Sequence, residues 1–126
     1  MIWFTVYGNP IGKARPRFIR ATGFCYTPKT TRQWEESIIG QALKHRPKEL
    51  ITRPIALRMD FYLMKPKSVT KKRQYPCVAP DCDNLAKSVL DALNGVMFLD
   101  DKLVVDMRIR KLYDRTPRVE IIIVEL

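Results

Sequence analysis

Hydrophobic and polar positions alternate in four stretches of the chain and recur at helical spacing in two. Ile2 to Tyr7 alternates and is rich in β-branched and aromatic residues, which predicts a first strand. Ile55 to Lys65 predicts another, with Ile55, Leu57, Met59, Phe61 and Leu63 on one face and Arg58 and Asp60 on the other. Leu103 to Tyr113 and Arg118 to Leu126 alternate as well, and the turn residues 114–117 between them predict a terminal hairpin. Helical spacing appears in Lys29 to His45, where Trp34, Ile38 and Ala42 share a face. It returns in Asp83 to Asn94, capped by an aspartate, ended by Gly95, and apolar at Leu85, Val89, Ala92 and Leu93. Gly8 to Pro28 and Pro66 to Pro80 read as loops, and Pro47 and Pro54 bracket a linker. The order β-α-β-α-β-β predicts an α+β fold, a mixed sheet covered by two helices, in one domain over residues 1–126. No internal repeat or low-complexity tract interrupts it.

Composition narrows the class. With 46% apolar residues in 126, one modest core can form without disulfides. No apolar run reaches a membrane-spanning length, and Met1 to Tyr7 lacks the basic leader and small-residue cleavage site of a signal peptide. Cys25, Cys77 and Cys82 are odd in number and form no C-x-x-C pair, which points to a reducing, cytoplasmic setting. The net charge of +10 points to a polyanion, with nucleic acid ahead of an anionic membrane because no long basic amphipathic helix is present.

The charge is uneven. Between Asp81 and Asp106 lie six aspartates and two lysines, a net of −4; the rest of the chain carries 21 basic and 7 acidic residues, a net of +14. An acidic island in a basic protein repels itself unless a cation sits there or each aspartate has a structural partner. Asp81 and Asp83, two apart just before a helix, point to the same side of an extended segment. Paired carboxylates suit Mg²⁺ or Mn²⁺, and the helix start beside them favours a phosphate oxygen. Lys87, one turn after Asp83, is placed to contact a scissile phosphate or steady a leaving oxygen. Asp91 reads as a helix ion pair with Lys87. Asp100 and Asp101, before the next strand, could return beside Asp81 and Asp83, so that several carboxylates surround metal, activate water and support phosphodiester hydrolysis.

The ordered pattern D-x-D-N-x-x-K-x-x-x-D-A-L-N-G, then D-D, resembles the RusA family of Holliday-junction resolvases. The matching residues are Asp81, Asp83, Asn84, Lys87, Asp91, Ala92, Leu93, Asp100, Asp101, Val104, Val105 and Asp106. The likeness is tightest over residues 80–110 and extends weakly over the rest. It implies a Mg²⁺-dependent homodimeric endonuclease, with Mn²⁺ able to substitute, that nicks four-way DNA junctions symmetrically in recombination and repair. It further implies metal ligation by Asp81, Asp83 and Asp101, with Asp100 as an additional or substitute ligand, and a catalytic Lys87. Lys13, Arg15, Pro16 and Arg17 look like the N-terminal loop of many bacterial and phage relatives.

Two basic clusters suit backbone contacts to branched DNA: Lys13, Arg15, Arg17 and Arg20, and Lys65, Lys67, Lys71, Lys72 and Arg73. Phe18, Phe24 or Tyr75 could wedge into the open centre of a junction. Gly8 to Lys13 is not a nucleotide-binding loop, since its glycines are four apart and Ala14 stands where a Ser or Thr would hold Mg²⁺. Trp34 reads as core, Cys82 as packing inward, and His45 as a helix-end charge rather than a base. Zinc is not expected with a single histidine. Two other readings stay open, a related nuclease of flaps or forks and a non-catalytic nucleic-acid-binding module whose acidic island is structural; a weaker one is an RNA-binding protein.

Overall fold

Strand β4 (Ile55–Leu63) is the centre of the sheet because one of its faces is entirely apolar. Ile55, Leu57, Met59 and Phe61 are all buried there. The computed structural model describes residues 1–14, 17–26, 28–70 and 72–126. Numbered in chain order, the remaining elements are β1 (Ile2–Tyr7), β2 (Arg17–Ile19), β3 (Phe24–Tyr26), helix α1 (Lys29–Lys44), helix α2 (Cys82–Leu93), β5 (Val104–Tyr113) and β6 (Arg118–Glu125). A 3-10 turn at Asp101–Leu103 leads into β5. The main sheet runs β1-β6-β4-β5, and β2 and β3 pair separately. Among the paired strands described, only β4 and β5 run parallel, and α2 lies on the crossover between them, as a parallel connection requires. The fold is α+β with a mixed sheet and two helices, as the alternation predicts.

Two details differ from the sequence expectation. The last two strands do not form a hairpin: β4 lies between them, parallel to β5 and antiparallel to β6. Alternation identifies a strand and its buried face but not its neighbour. Met59 and Phe61 need a neighbouring strand on both sides of β4, and β5, whose residues are all exposed or half-buried, suits the outer position. The 114–117 turn therefore crosses the end of β4, tied by Asp114 N–H to the Leu63 carbonyl at 3.0 Å. The Pro117 carbonyl accepts from Gly8 N–H at 3.1 Å on the other side. The second difference lies within Gly8 to Pro28, expected as loop throughout. It contains the β2–β3 hairpin, closed at Ile19 by Gly23, whose φ of 70° suits a residue without Cβ.

Both helices lie on one face of the sheet. Trp34, Ile38 and Ala42 of α1 and Leu85, Val89 and Leu93 of α2 join Phe4, Val6, Ile121 and Ile123 in a single core. Trp34 is thus core, as expected. The opposite face has no helix and is held by ion pairs. Arg110 donates to both oxygens of Asp60 at 2.8 and 2.9 Å, and Arg118 lies 3.9 Å from the centre of the Tyr62 ring.

Candidate active site

Helix α2 begins at Cys82, so Asp81 is the residue that caps it and Asp83 lies in its first turn. Asp81 is extended, and its side chain makes no capping hydrogen bond. Asp83 likewise has no ion-pair partner among the described residues, and both aspartates are exposed. Asp91 of α2 and Glu35 of α1 behave differently. Asp91 lies 3.2 Å from Lys87 and 3.1 Å from Lys13, and Glu35 lies 2.7 Å from Lys13. The helix-cap reading of the D-x-D pair is therefore not what the side chains do. The Lys87–Asp91 ion pair is present as expected.

Lys87 remains 54% exposed although paired, so its ammonium is open to a further anion. Asp101 returns to this end of the fold through the 3-10 turn. Its carboxyl is raised above the ordinary carboxylate range, first by a hydrogen bond with the Asp100 carboxyl, then by burial, with Lys87 opposing and Asp91 adding repulsion. Asp100 is lowered, chiefly because it accepts from the backbone N–H of Lys102, at 3.1 Å. The two neighbours thus hold different posts: Asp100 caps the 3-10 turn, while Asp101 feels Lys87 and Asp91.

The structure brings together Lys87, Asp91, Asp101 and Asp100. Among the described residues, no three carboxylate, thiol or imidazole groups converge tightly enough to enclose an ion. The donors are nonetheless carboxylate oxygens, which suit a hard divalent cation. Mg²⁺ commonly takes one or two protein carboxylates and keeps its waters, so donors this sparse fit it in kind.

Lys13 does not stand as a free cation. Burial pushes its ammonium pKa down, but hydrogen bonds to Glu35 and Asp91 outweigh this and raise it. Its backbone N–H donates to the Asn84 carbonyl at 2.9 Å, and Ser88 Oγ donates to the Ile11 carbonyl at the same distance. Residues 8–14 are a strap bound along α2, and Lys13 is a strut between the two helices. Periodicity could not reveal this, because the partners are 22 and 78 positions away in sequence. The other basic candidates are more open. Arg20, Lys67, Lys72 and Arg73 are exposed and Lys65 is half-buried. Arg17 begins β2, its side chain lies outside the described set, and Arg15 and Lys71 are outside the described residues altogether.

Phe18 and Phe24 project from the β2–β3 hairpin and are 61% and 59% exposed, so they do not pack on the core edge. Phe24 stacks on Tyr26 instead, at 6.3 Å between ring centres. His45 ends α1, with its ring stacked on Phe4. Cys82 is half-buried and unbonded. Reading the sequence for sites overlooked Lys111, whose ammonium donates to the Val78 and Pro80 carbonyls at 2.7 and 3.0 Å. It fastens the segment that delivers Asp81 to the helix.

Carboxylates without a partner among the described residues at the start of α2, with an accessible lysine one turn after Asp83, in a domain of charge +10, define a protein equipped to act on a polyanion. Comparison with known proteins supplies the family: residues 7–124 match endodeoxyribonuclease RusA, and the chain belongs to the RusA family. It is 36% identical to the uncharacterized protein YqaN of Bacillus subtilis (strain 168), over 99% of this chain and 96% of that protein. It is 32% identical to the crossover junction endodeoxyribonuclease rusA of Lactococcus phage r1t, over 71% of this chain and 70% of the phage protein. Among the described residues, no helix is long and apolar enough to cross a membrane.

Proposed function

We propose that the protein is a Mg²⁺-dependent endodeoxyribonuclease that resolves four-way DNA junctions by paired nicks. The observation that carries this reading is that Asp81 and Asp83 have no structural partner among the described residues although the fold pairs Asp60, Asp91, Asp114, Glu35 and Glu120 with cations. Family membership supports the same chemistry. Asp81, Asp83 and Asp101 would hold the cation, and Asp101 is preferred over Asp100 because Asp100 is engaged as a turn cap. Mn²⁺, another hard cation, would substitute.

When bound, the cation supplies Lewis-acid stabilisation of charge on the phosphate oxygens. The chain's own residues supply position. The α2 N-terminus directs backbone N–H groups at a phosphate. Lys87, steadied by Asp91, presents its ammonium to the charge that develops as water adds to phosphorus and the bridging oxygen departs. Exposed Arg20, Lys72 and Arg73 neutralise flanking phosphates. A four-way junction has two-fold symmetry, so a homodimer would place one such site on each of two strands.

The test is cleavage of labelled four-way, forked, flapped and linear duplex DNA with Mg²⁺, beside Asp83→Asn. Junction-selective nicking that Asp83→Asn abolishes, while junction binding survives, is the expected result. Equal rates on linear duplex would sink the resolvase reading. No cleavage of any of these substrates by the wild type would leave only a binding module, and an Asp83→Asn protein that cleaves normally would remove Asp83 from the chemistry.

A further inference from the structure

The basic loop after β4 does not simply project into solvent. It forms one wall of a groove of about 970 Å³ at the end of the sheet, and the 114–117 turn region supplies the other. Lys65, Lys67, Arg73 and Arg115 lie along this groove. None of the four has a carboxylate partner among the described residues, and the one acidic lining residue, Asp114, is already held by Arg118. The floor is of another kind. Tyr62, Met64, Val69, Leu112 and Tyr113 offer aromatic and aliphatic surface between the cations. The Lys65 ammonium lies over the Tyr113 ring, 5.9 Å from its centre, a contact that an incoming aromatic ring can replace while the lysine moves to a phosphate.

Cations beside an aromatic floor suit one form of nucleic acid. A duplex turns its phosphates outward and hides its base faces, so it would use the cations and leave the floor empty. An unpaired strand offers both, with bases laid on tyrosine and phosphates at the basic wall. The volume exceeds what a single nucleotide needs, standing at the upper end of the range for small-ligand sites. The chain runs directly from this groove to the candidate active site. Tyr113 N–H donates to the Gln74 carbonyl at 3.1 Å, and residues 75–80, fastened by Lys111, lead from there to Asp81.

The structure assigns this groove as a binding site for unpaired DNA, with Tyr113 as stacking platform and Lys65, Lys67, Arg73 and Arg115 as phosphate contacts. The inference deepens the proposed action on branched DNA, because a branch point is where unpaired bases occur next to a duplex. Its binding step needs neither metal nor cleavage.

The experiment is therefore done in EDTA with the full chain. A short single-stranded DNA carrying 2-aminopurine is compared with a blunt duplex and a single-stranded RNA of the same sequence, by fluorescence and anisotropy. Wild-type protein is expected to quench the 2-aminopurine. Tyr113→Leu should abolish the quenching and weaken single-strand binding about ten-fold, the size of one lost base–aromatic stack, while duplex binding changes less than two-fold. Arg115→Ala, an exposed turn substitution with no packing role, should weaken single-strand binding and flatten its salt dependence. It keeps the proposal testable should Tyr113→Leu fail to fold. No quenching by wild type, or equal losses on duplex and single strand, would overturn the assignment. RNA bound as tightly as DNA with the same dependence on Tyr113 would overturn the choice of DNA. Failure of junction cleavage, by contrast, would count against the nuclease reading and leave these binding results standing.

Discussion

Asp91 holds two lysines at once, one on its own helix and one on the strap, and both tasks depend on its charge. Asp91→Asn should loosen Lys87 and lower the cleavage rate at saturating junction about ten-fold or more, with junction affinity little changed. Lys87→Ala removes the ammonium itself and should cost about a hundred-fold in the same assay. A Lys87→Ala rate within two-fold of wild type would remove that residue from the chemistry. Asp60, on the open sheet face, makes a different case. Its hydrogen bonds with Arg110 hold its carboxyl below the ordinary value of 3.8, against the opposing effect of burial. A carboxyl lowered by folding stabilises the native state above its unfolded pKa, and that contribution disappears as pH falls through the folded value. Urea midpoints should therefore fall on acidification below about pH 4. Asp60→Asn should lower stability by about 1 kcal/mol at neutral pH, a modest cost because Arg110 is half in solvent, and should flatten the acid dependence. Unchanged acid dependence in Asp60→Asn would assign the loss to other carboxylates.

At the scale of elements, the strap over α2 depends on a missing side chain. A Cβ on Gly12 would lie 3.0 Å from the Pro80 Cβ and 3.2 Å from the Asn84 Cβ, tighter than most such contacts, so the strap or the helix start must give by a few tenths of an ångström. Gly12→Ala should push the strap off the helix start, cost about 1–3 kcal/mol by thermal melting, and reduce cleavage because Asn84 follows Asp83 directly. Gly40 tests the opposite sign. It lies exposed within α1, and a Cβ there meets nothing within 4 Å. Gly40→Ala should raise stability by about 0.5–1 kcal/mol through helix propensity, with cleavage unaffected. A fall in melting temperature would reveal a contact that α1 makes only in an assembly. The main elements were legible because their faces are strict: Trp34, Ile38 and Ala42 on α1, and Ile55 to Phe61 on β4, are buried as their spacing requires. The β2–β3 hairpin was not, since two three-residue strands whose described side chains are exposed carry no buried face to read.

For the whole molecule, a charge of +10, with loop cations that have no carboxylate partner among the described residues, predicts association governed by counterion release. Junction binding measured between about 50 and 200 mM salt should give a log–log slope of at least about −4. A slope near zero would mean that the basic loops do not meet phosphate. The sequence alone determined the class of fold, because hydrophobic period follows local geometry, and it singled out Asp81, Asp83 and Lys87 by their spacing at one helix start, while Asp101 was chosen beside Asp100 only through the resemblance to the RusA family. Only the tertiary structure decided who pairs with whom. It placed β4 between β5 and β6, since the most apolar strand needs neighbours on both sides, and gave Lys13, an expected DNA contact, ion pairs to Glu35 and Asp91 on two helices. It also joined Arg115 and Tyr113 to a basic loop some forty residues earlier, a juxtaposition that a linear pattern does not encode because it arises from strand order.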